Sequence, residues 1–284
     1  GLYLEELVGK MVLDNVTFDG NRTSSGSGAG LHAMLSNLST KNSIFKNNIS
    51  EGNGGGIGFF SDNAALGDSL TVENTIFDNN TSGSIGAGIY SQMDGTQNVG
   101  VTSIVNSLFT NNTAQTSAIH IYGMTNKSIV NCTIASNTGT YAVFDDYRKT
   151  TKIVNTIIWH NDNSILSTNL HGTNLVSYSN IEHKTDPNPG ITNLNTDPLF
   201  TDIVGNDYSL QPTSPSIDAG HPDLDGDGET WETDTDDQDP DGTRMDMGSA
   251  WFSQLESEPP TIQITNIDDD TKFGSGKSQT IEWT

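Results

Sequence analysis

The sequence predicts an all-β fold, a right-handed parallel β-helix of about seven coils. Three observations predict it. A short frame bracketed by asparagines recurs at 24- to 32-residue spacing, glycine-led strands alternate with that frame, and the stretches between them leave no room for a helix.

The frame reads NVTFDGN at 15–21, NSIFKNN at 42–48, NTIFDNN at 74–80 and NSLFTNN at 106–112, and it continues from Asn131 and Asn155. Its first asparagines, Asn15, Asn42, Asn74, Asn106, Asn131 and Asn155, are spaced 27, 32, 32, 25 and 24 residues apart. A second asparagine follows six residues later each time: Asn21, Asn48, Asn80, Asn112, Asn137 and Asn161. Three residues after the first comes Phe18, Phe45, Phe77, Phe109, Ile134 or Ile158, and VSYSNI at 176–181 is a degenerate seventh copy. Stacked coils place like residues over like at roughly 4.8 Å. Side-chain amides then bond along a column, as in other stacked strands. The asparagines are therefore expected to turn the chain at the coil corners, with Phe or Ile filling the core. A leucine-rich solenoid, which also uses an asparagine column, wants an L-x-x-L-x-L spacing that these repeats lack.

Between the frames lie GAGLHAM at 28–34, GGGIGFF at 54–60, GAGIYSQ at 86–92 and SAIHIYG at 117–123. Strand alternation gives one outward column of His32, Gly58, Tyr90, His120 and Phe144, and a second of Met34, Phe60, Gln92, Tyr122 and Asp146. Aromatic rings rimmed by His and amides suit sugar rings or a protein partner, so Tyr90, His120 and Tyr122 are the candidate ligand surface. Exposed or loop-covered aromatics with no partner fit the same pattern.

Charge narrows the partners. Twelve Lys+Arg against 36 Asp+Glu give a net charge of −24, which repels phosphate backbones and argues against nucleic acid. Twenty-two of those acids fall in 185–284, against three bases, Arg244, Lys272 and Lys277. One cysteine, Cys132, rules out an internal disulfide and stands where sister repeats carry Val, Ser or Thr, as a packed thiol would. No apolar run approaches the roughly 20 residues of a membrane-spanning helix. The chain starts without Met and inside a repeat, so a processed or trimmed N-terminus is expected.

DLDGDGETWETD at 223–234 matches a calcium-loop spacing, with Asp234 at the position usually held by Glu. Asp223, Asp225 and Asp227 supply hard oxygens, Gly228 allows the turn, and Glu229 adds its carbonyl; the expected cofactor is a structural Ca2+. A hydrated acidic turn is the bland alternative. Eleven acids within 218–241 would repel one another without a cation. From 261 on, an alternating strand, a Gly/Ser turn and TIEWT resemble the first hairpin of an Ig-like module, too short to complete a sandwich. The expected organisation is coils over 1–184, a closing segment over 185–252, a linker over 253–260 and a truncated Ig-like start over 261–284.

The pairing of GGGI or GAGI with FKNN, FDNN and FTNN resembles the repeats of chlamydial polymorphic outer-membrane proteins, surface β-helical adhesins. TDPLFTD, NDYSLQPTSPSIDAG and RMDMGSAWF resemble the closing segment of secreted bacterial β-helix proteins of the choice-of-anchor type. Both resemblances imply display at or outside a bacterial cell surface, and neither implies a defined reaction. The favoured expectation is an adhesive or structural surface protein that binds a glycan or protein. The alternative is a carbohydrate-active enzyme, since pectate-lyase-like solenoids host lyases and glycosidases. A glycosidase needs two facing carboxylates, and the neighbouring Asp145 and Asp146 should point to opposite faces. A lyase needs a base, for which Tyr147, Arg148 and Lys149 are the candidates.

Overall fold

In the computed structural model, the described residues are 1–61, 68–93, 100–124, 126–146, 151–162, 176–182 and 192–254. They fold as a parallel β-helix. One coil shows the design: the strand Leu31–Lys41 ends at Asn42, the chain turns into Ile44–Lys46, turns again into Ile49–Ser50, and returns through glycines to Ile57–Ser61. Successive coils pair in parallel on every face.

The face built from the frame is a seven-stranded sheet running in chain order from Thr17–Asp19 to Asn180–Ile181. Its register puts Phe18, Phe45, Phe77 and Phe109 over one another, followed by Ile134, Ile158 and Ile181. The phenyl rings stack with centroids 4.8, 5.0 and 4.6 Å apart, which is the spacing of neighbouring strands. Repeating one ring per coil therefore fills the core without a gap. Burying each ring contributes about 1.5–3 kcal/mol.

The broad face begins with Leu2–Asp14 paired along Leu31–Lys41. Later coils split it in two: Ile57–Ser61 and Ser69–Glu73 both pair with Leu31–Lys41, and the later pairs of strands follow the same division. Alternate residues point inward, giving the buried column Leu31, Ile57, Ile89, Ile119 and Val143.

The two asparagines of each frame do different work, which corrects the expectation that both sit at corners. The first asparagine takes the left-handed conformation at a corner, φ 48–56° from Asn15 to Asn155. Asn visits this region more cheaply than most residues because its short polar side chain bonds locally. The other corner falls one residue before the second marker, at Asn47, Asn79, Asn111, Ser136 and His160. The second marker itself lies inside: Asn48, Asn80 and Asn112 are fully buried. Asn48 Nδ2 donates to Asn80 Oδ1 at 2.9 Å, Asn80 Nδ2 to Asn112 Oδ1 at 3.0 Å, and Asn112 Nδ2 to Asn137 Oδ1 at 3.0 Å. Each oxygen also accepts the backbone N–H of the preceding coil's asparagine, as Asn80 Oδ1 does from Asn48 N at 3.1 Å.

A second interior column lies one residue past each left-handed corner that opens a frame, Tyr178 in the seventh copy and an asparagine in the others. Ser43, Thr75, Ser107, Thr156 and Ser179 each donate to a carbonyl two residues back. Cys132 occupies the same position, its thiol 3.2 Å from the Val130 carbonyl oxygen. Burial pushes this thiol up to about 12, so it is a packing group and no nucleophile at neutral pH.

Gly1–Phe252 form one compact unit and Ser253–Thr284 a second. Within the first, the antiparallel strands Phe200–Asp202 and Asp207–Leu210 cover the outer side of the seven-stranded sheet. Phe200, Tyr208, Leu210 and Met247 pack on Ala135, Ile157 and Trp159. This explains why outward positions change character along the sheet, from exposed Thr17 and Asp19 to buried Ile157 and Trp159. The expected Ig-like start at 261–284 and most of the expected linker lie outside the described residues.

Candidate functional site

Six rings form one column outside the broad face, five of them aligned by strand register. Tyr3 and His32 stack at 4.7 Å, His32 and Phe60 at 5.1 Å, and Phe60 and Tyr90 meet at 5.4 Å. Tyr90 and His120 follow at 5.4 Å, then His120 and Phe144 at 4.8 Å. In this column Gly58 is the residue opposite His32 and Tyr90. Phe60 comes from the neighbouring column and leans over Gly58 into the vacant place, a change from the expected alignment.

Of the expected ligand-surface residues, Tyr90 and His120 are buried at 6 % and 5 % exposure, while Tyr122, in the neighbouring column, is half-buried. The Tyr90 hydroxyl donates to the Gln92 side-chain oxygen. His32 Nδ1 lies 2.8 Å from the Ser27 carbonyl oxygen and so carries the ring proton. His120 Nδ1 has no hydrogen-bond partner, and burial lowers this imidazole to about 4, keeping it neutral at pH 7. Tyr3, 60 % exposed, opens the column to solvent at its first ring.

Of the two acids weighed as a catalytic pair, the structure describes the side chain of Asp145. Asp145 points into the coil, 2 % exposed, and pairs with the Lys127 ammonium. Its second oxygen accepts from Thr151 N at 3.1 Å and Thr151 Oγ1 at 3.0 Å. A buried pair satisfied this way is a structural tie, expensive to break and modest in net stability. Tyr147, Arg148 and Lys149 lie outside the described residues.

The acidic loop holds its shape with its own carboxylates. Asp223 Oδ1 accepts from Gly226 N at 2.7 Å and Asp227 Oδ1 from Glu229 N at 2.8 Å. Asp225, Asp227 and Asp234 carry carboxylate oxygens within 4.8 Å of one another, and Asp223, Asp225 and Asp237 do likewise. The Glu229 carboxylate is engaged by Thr233 Oγ1 at 3.0 Å. The loop begins at His221, whose N–H donates to Asn155 Oδ1 at 2.6 Å, and the His221 ring packs edge-on against Tyr178 at 4.4 Å.

A cleft of about 420 Å³ runs between the corner asparagines and the closing segment, lined by Asn74, Asn106, Asn131, Asp239, Met245 and Trp251. Burial first, then the charge of Asp246, pushes Asp239 up to about 7. Asp246 is itself raised, mainly by burial, and accepts from Asp218 N and Phe252 N at 2.8 and 2.7 Å.

Sequence reasoning missed Phe60 in the column, the Lys127–Asp145 pair, the cleft, and Asp237. The pair had a legible signal: Lys127 aligns with the inward Leu38, Leu70 and Thr102, and Asp145 with the inward Ala33, Phe59 and Ser91. Two opposite charges at adjacent inward positions require each other.

Residues 74–92 match the model of the Chlamydia polymorphic membrane protein repeat. The matched stretch holds one whole frame, the glycine corner Gly86 and most of the strand Ile89–Met93, including Tyr90. Comparison with curated proteins and with solved structures gives no match.

Proposed function

We propose that this chain is a bacterial surface β-helix with an adhesive or structural role, which receives a glycan or a protein surface along the ring column from Tyr3 to Phe144. The observation that carries the reading is the column itself. The coil repeat stacks six rings in a row, five of them in register and Phe60 leaning in over Gly58, and Tyr3, His32, Phe60 and Phe144 stay partly exposed. Rings fixed by the backbone lose little entropy when a sugar face or an apolar partner stacks on them. The repeat match over 74–92 supports placement at a bacterial outer membrane or surface. The net charge of −24 favours neutral glycans over acidic ones.

The test is a panel of polysaccharides read for retention on the protein and for chain length, run with the wild type, Tyr3→Ala and Tyr122→Ala. Retention of intact chains that weakens in the two variants is the expected outcome. Retention unchanged in both would place binding elsewhere. Shortened chains would replace adhesion with the carbohydrate-cleaving reading and direct mutagenesis to Tyr147, Arg148 and Lys149.

A further inference from the structure

We propose that Asp223, Asp225 and Asp237 form a calcium site, and that filling it fastens the acidic loop to the solenoid. The central residue is Asp237, at the end of the short 3-10 turn Thr235–Asp237. It is 1 % exposed, which is rare for a carboxylate that has no cationic partner. Its Oδ1 accepts the Leu224 N–H at 2.6 Å, and its Oδ2 has no hydrogen-bond partner among the described residues. A buried ionised oxygen with nothing to bond is strongly disfavoured unless a cation meets it.

The neighbours supply the rest. One carboxylate oxygen from each of Asp223, Asp225 and Asp237 lies within 4.8 Å of the other two. An ion about 2.4 Å from each oxygen spans such a separation, the bond length calcium prefers. Among the described residues, no Lys, Arg or His forms an ion pair with any of the three. The donor set is all carboxylate oxygen, which selects a hard cation over zinc or copper.

This site differs from the one the linear spacing implies. The spacing closes the loop with Asp234, whose Oδ1 accepts from Asp236 N at 3.2 Å and which shares its group with the exposed Asp225 and Asp227. Asp237 closes it from the buried side. The coupling to the solenoid is short: Asp223 N donates to His221 Nδ1 at 3.1 Å, and His221 N donates to Asn155 Oδ1 at the coil corner.

The experiment titrates the full chain, freed of metal by chelator, with calcium chloride in a calorimeter and measures its melting midpoint in chelator and in excess calcium. Wild type is expected to bind and to melt higher with calcium, as binding to the native state requires. Asp237→Asn is expected to lose about tenfold or more in affinity, the equivalent of 1.4 kcal/mol per decade. In chelator it should melt at or above wild type, because the amide keeps the Leu224 bond and removes the uncompensated charge. Asp234→Asn should keep its affinity within about threefold. No heat and no shift for wild type, or wild-type affinity in Asp237→Asn, or a loss that follows Asp234 in place of Asp237, each overturns the site. Should Asp237→Asn fail to fold, Asp223→Asn carries the same comparison from the partly exposed side.

Discussion

The ring of Phe60 occupies the place that Gly58 leaves empty, between His32 at 5.1 Å and Tyr90 at 5.4 Å. A Cβ on Gly58 would stand 2.9 Å from Gly28 N and 3.2 Å from Phe60 Cε2, and the Gly28 N–H is already bonded to the Asn53 and Gly54 carbonyls. Gly58→Ala is therefore expected to destabilise the protein by about 1–3 kcal/mol, the range of an overpacked core. Denaturant unfolding measures it, with a lowered midpoint and an unchanged slope.

Two adjacent asparagines give a sharper contrast. Asn79 is a corner with φ 52°, and Asn80 is a fully buried rung that bonds Asn112 Oδ1 and the Phe45 carbonyl. Asn79→Gly keeps the corner, since glycine accepts positive φ, and should change stability by less than about 1 kcal/mol. Asn80→Ala strips partners from Asn48 and Phe45 inside the coil and should cost about 3 kcal/mol or more, each orphaned buried group adding 1–3. Equal effects in the two variants would contradict the division between corner and rung.

Acid should loosen the ring column through His120. Its imidazole falls to about 4 in the fold from an ordinary 6.5, so between those values the unfolded chain binds the proton and the fold does not. Stability is then fully present above pH 6.5 and declines as pH falls toward 4, by roughly 3 kcal/mol at most. His120→Phe keeps a ring between Tyr90 and Phe144 and removes the titration. Its melting midpoint should fall less steeply than that of wild type between pH 6.5 and 4, and parallel profiles would refute the assignment.

The coil repeat was legible because stacking demands like residue over like, and a chain that obeys this writes the period in its sequence. Which asparagine does what was not, since from the second to the fourth coil both roles take the same residue. The first coil and the later ones hold the distinction, the first through Gly20 at the corner before Asn21. Asn47, Asn79 and Asn111 give way to Ser136 and His160, while Asn137 and Asn161 stay asparagine. A corner needs only a tolerated φ, whereas a rung needs a donor and an acceptor on one planar group. Phe60 was unreadable because alternation fixes which side of a strand a residue leaves from, not how far its ring leans. Asp237 was unreadable for another reason: it lies three residues beyond the loop pattern, and only the fold returns it to Asp223.

The division of the broad face has a consequence for how such a chain changes over generations. Strands on both sides of the break, such as Ile57–Ser61 and Ser69–Glu73, are held independently by their neighbours in the stack. Residues inserted between them leave the rung asparagines, the corners and the phenyl column in place. From Ile57 to Val72 and from Ile89 to Ile104 the chain takes 15 residues, where Ile119 to Ile129 and Val143 to Ile153 take 10. The same seam thus accepts different lengths in different coils, and it is there that descendants of this sequence can acquire new loops without relearning how to fold.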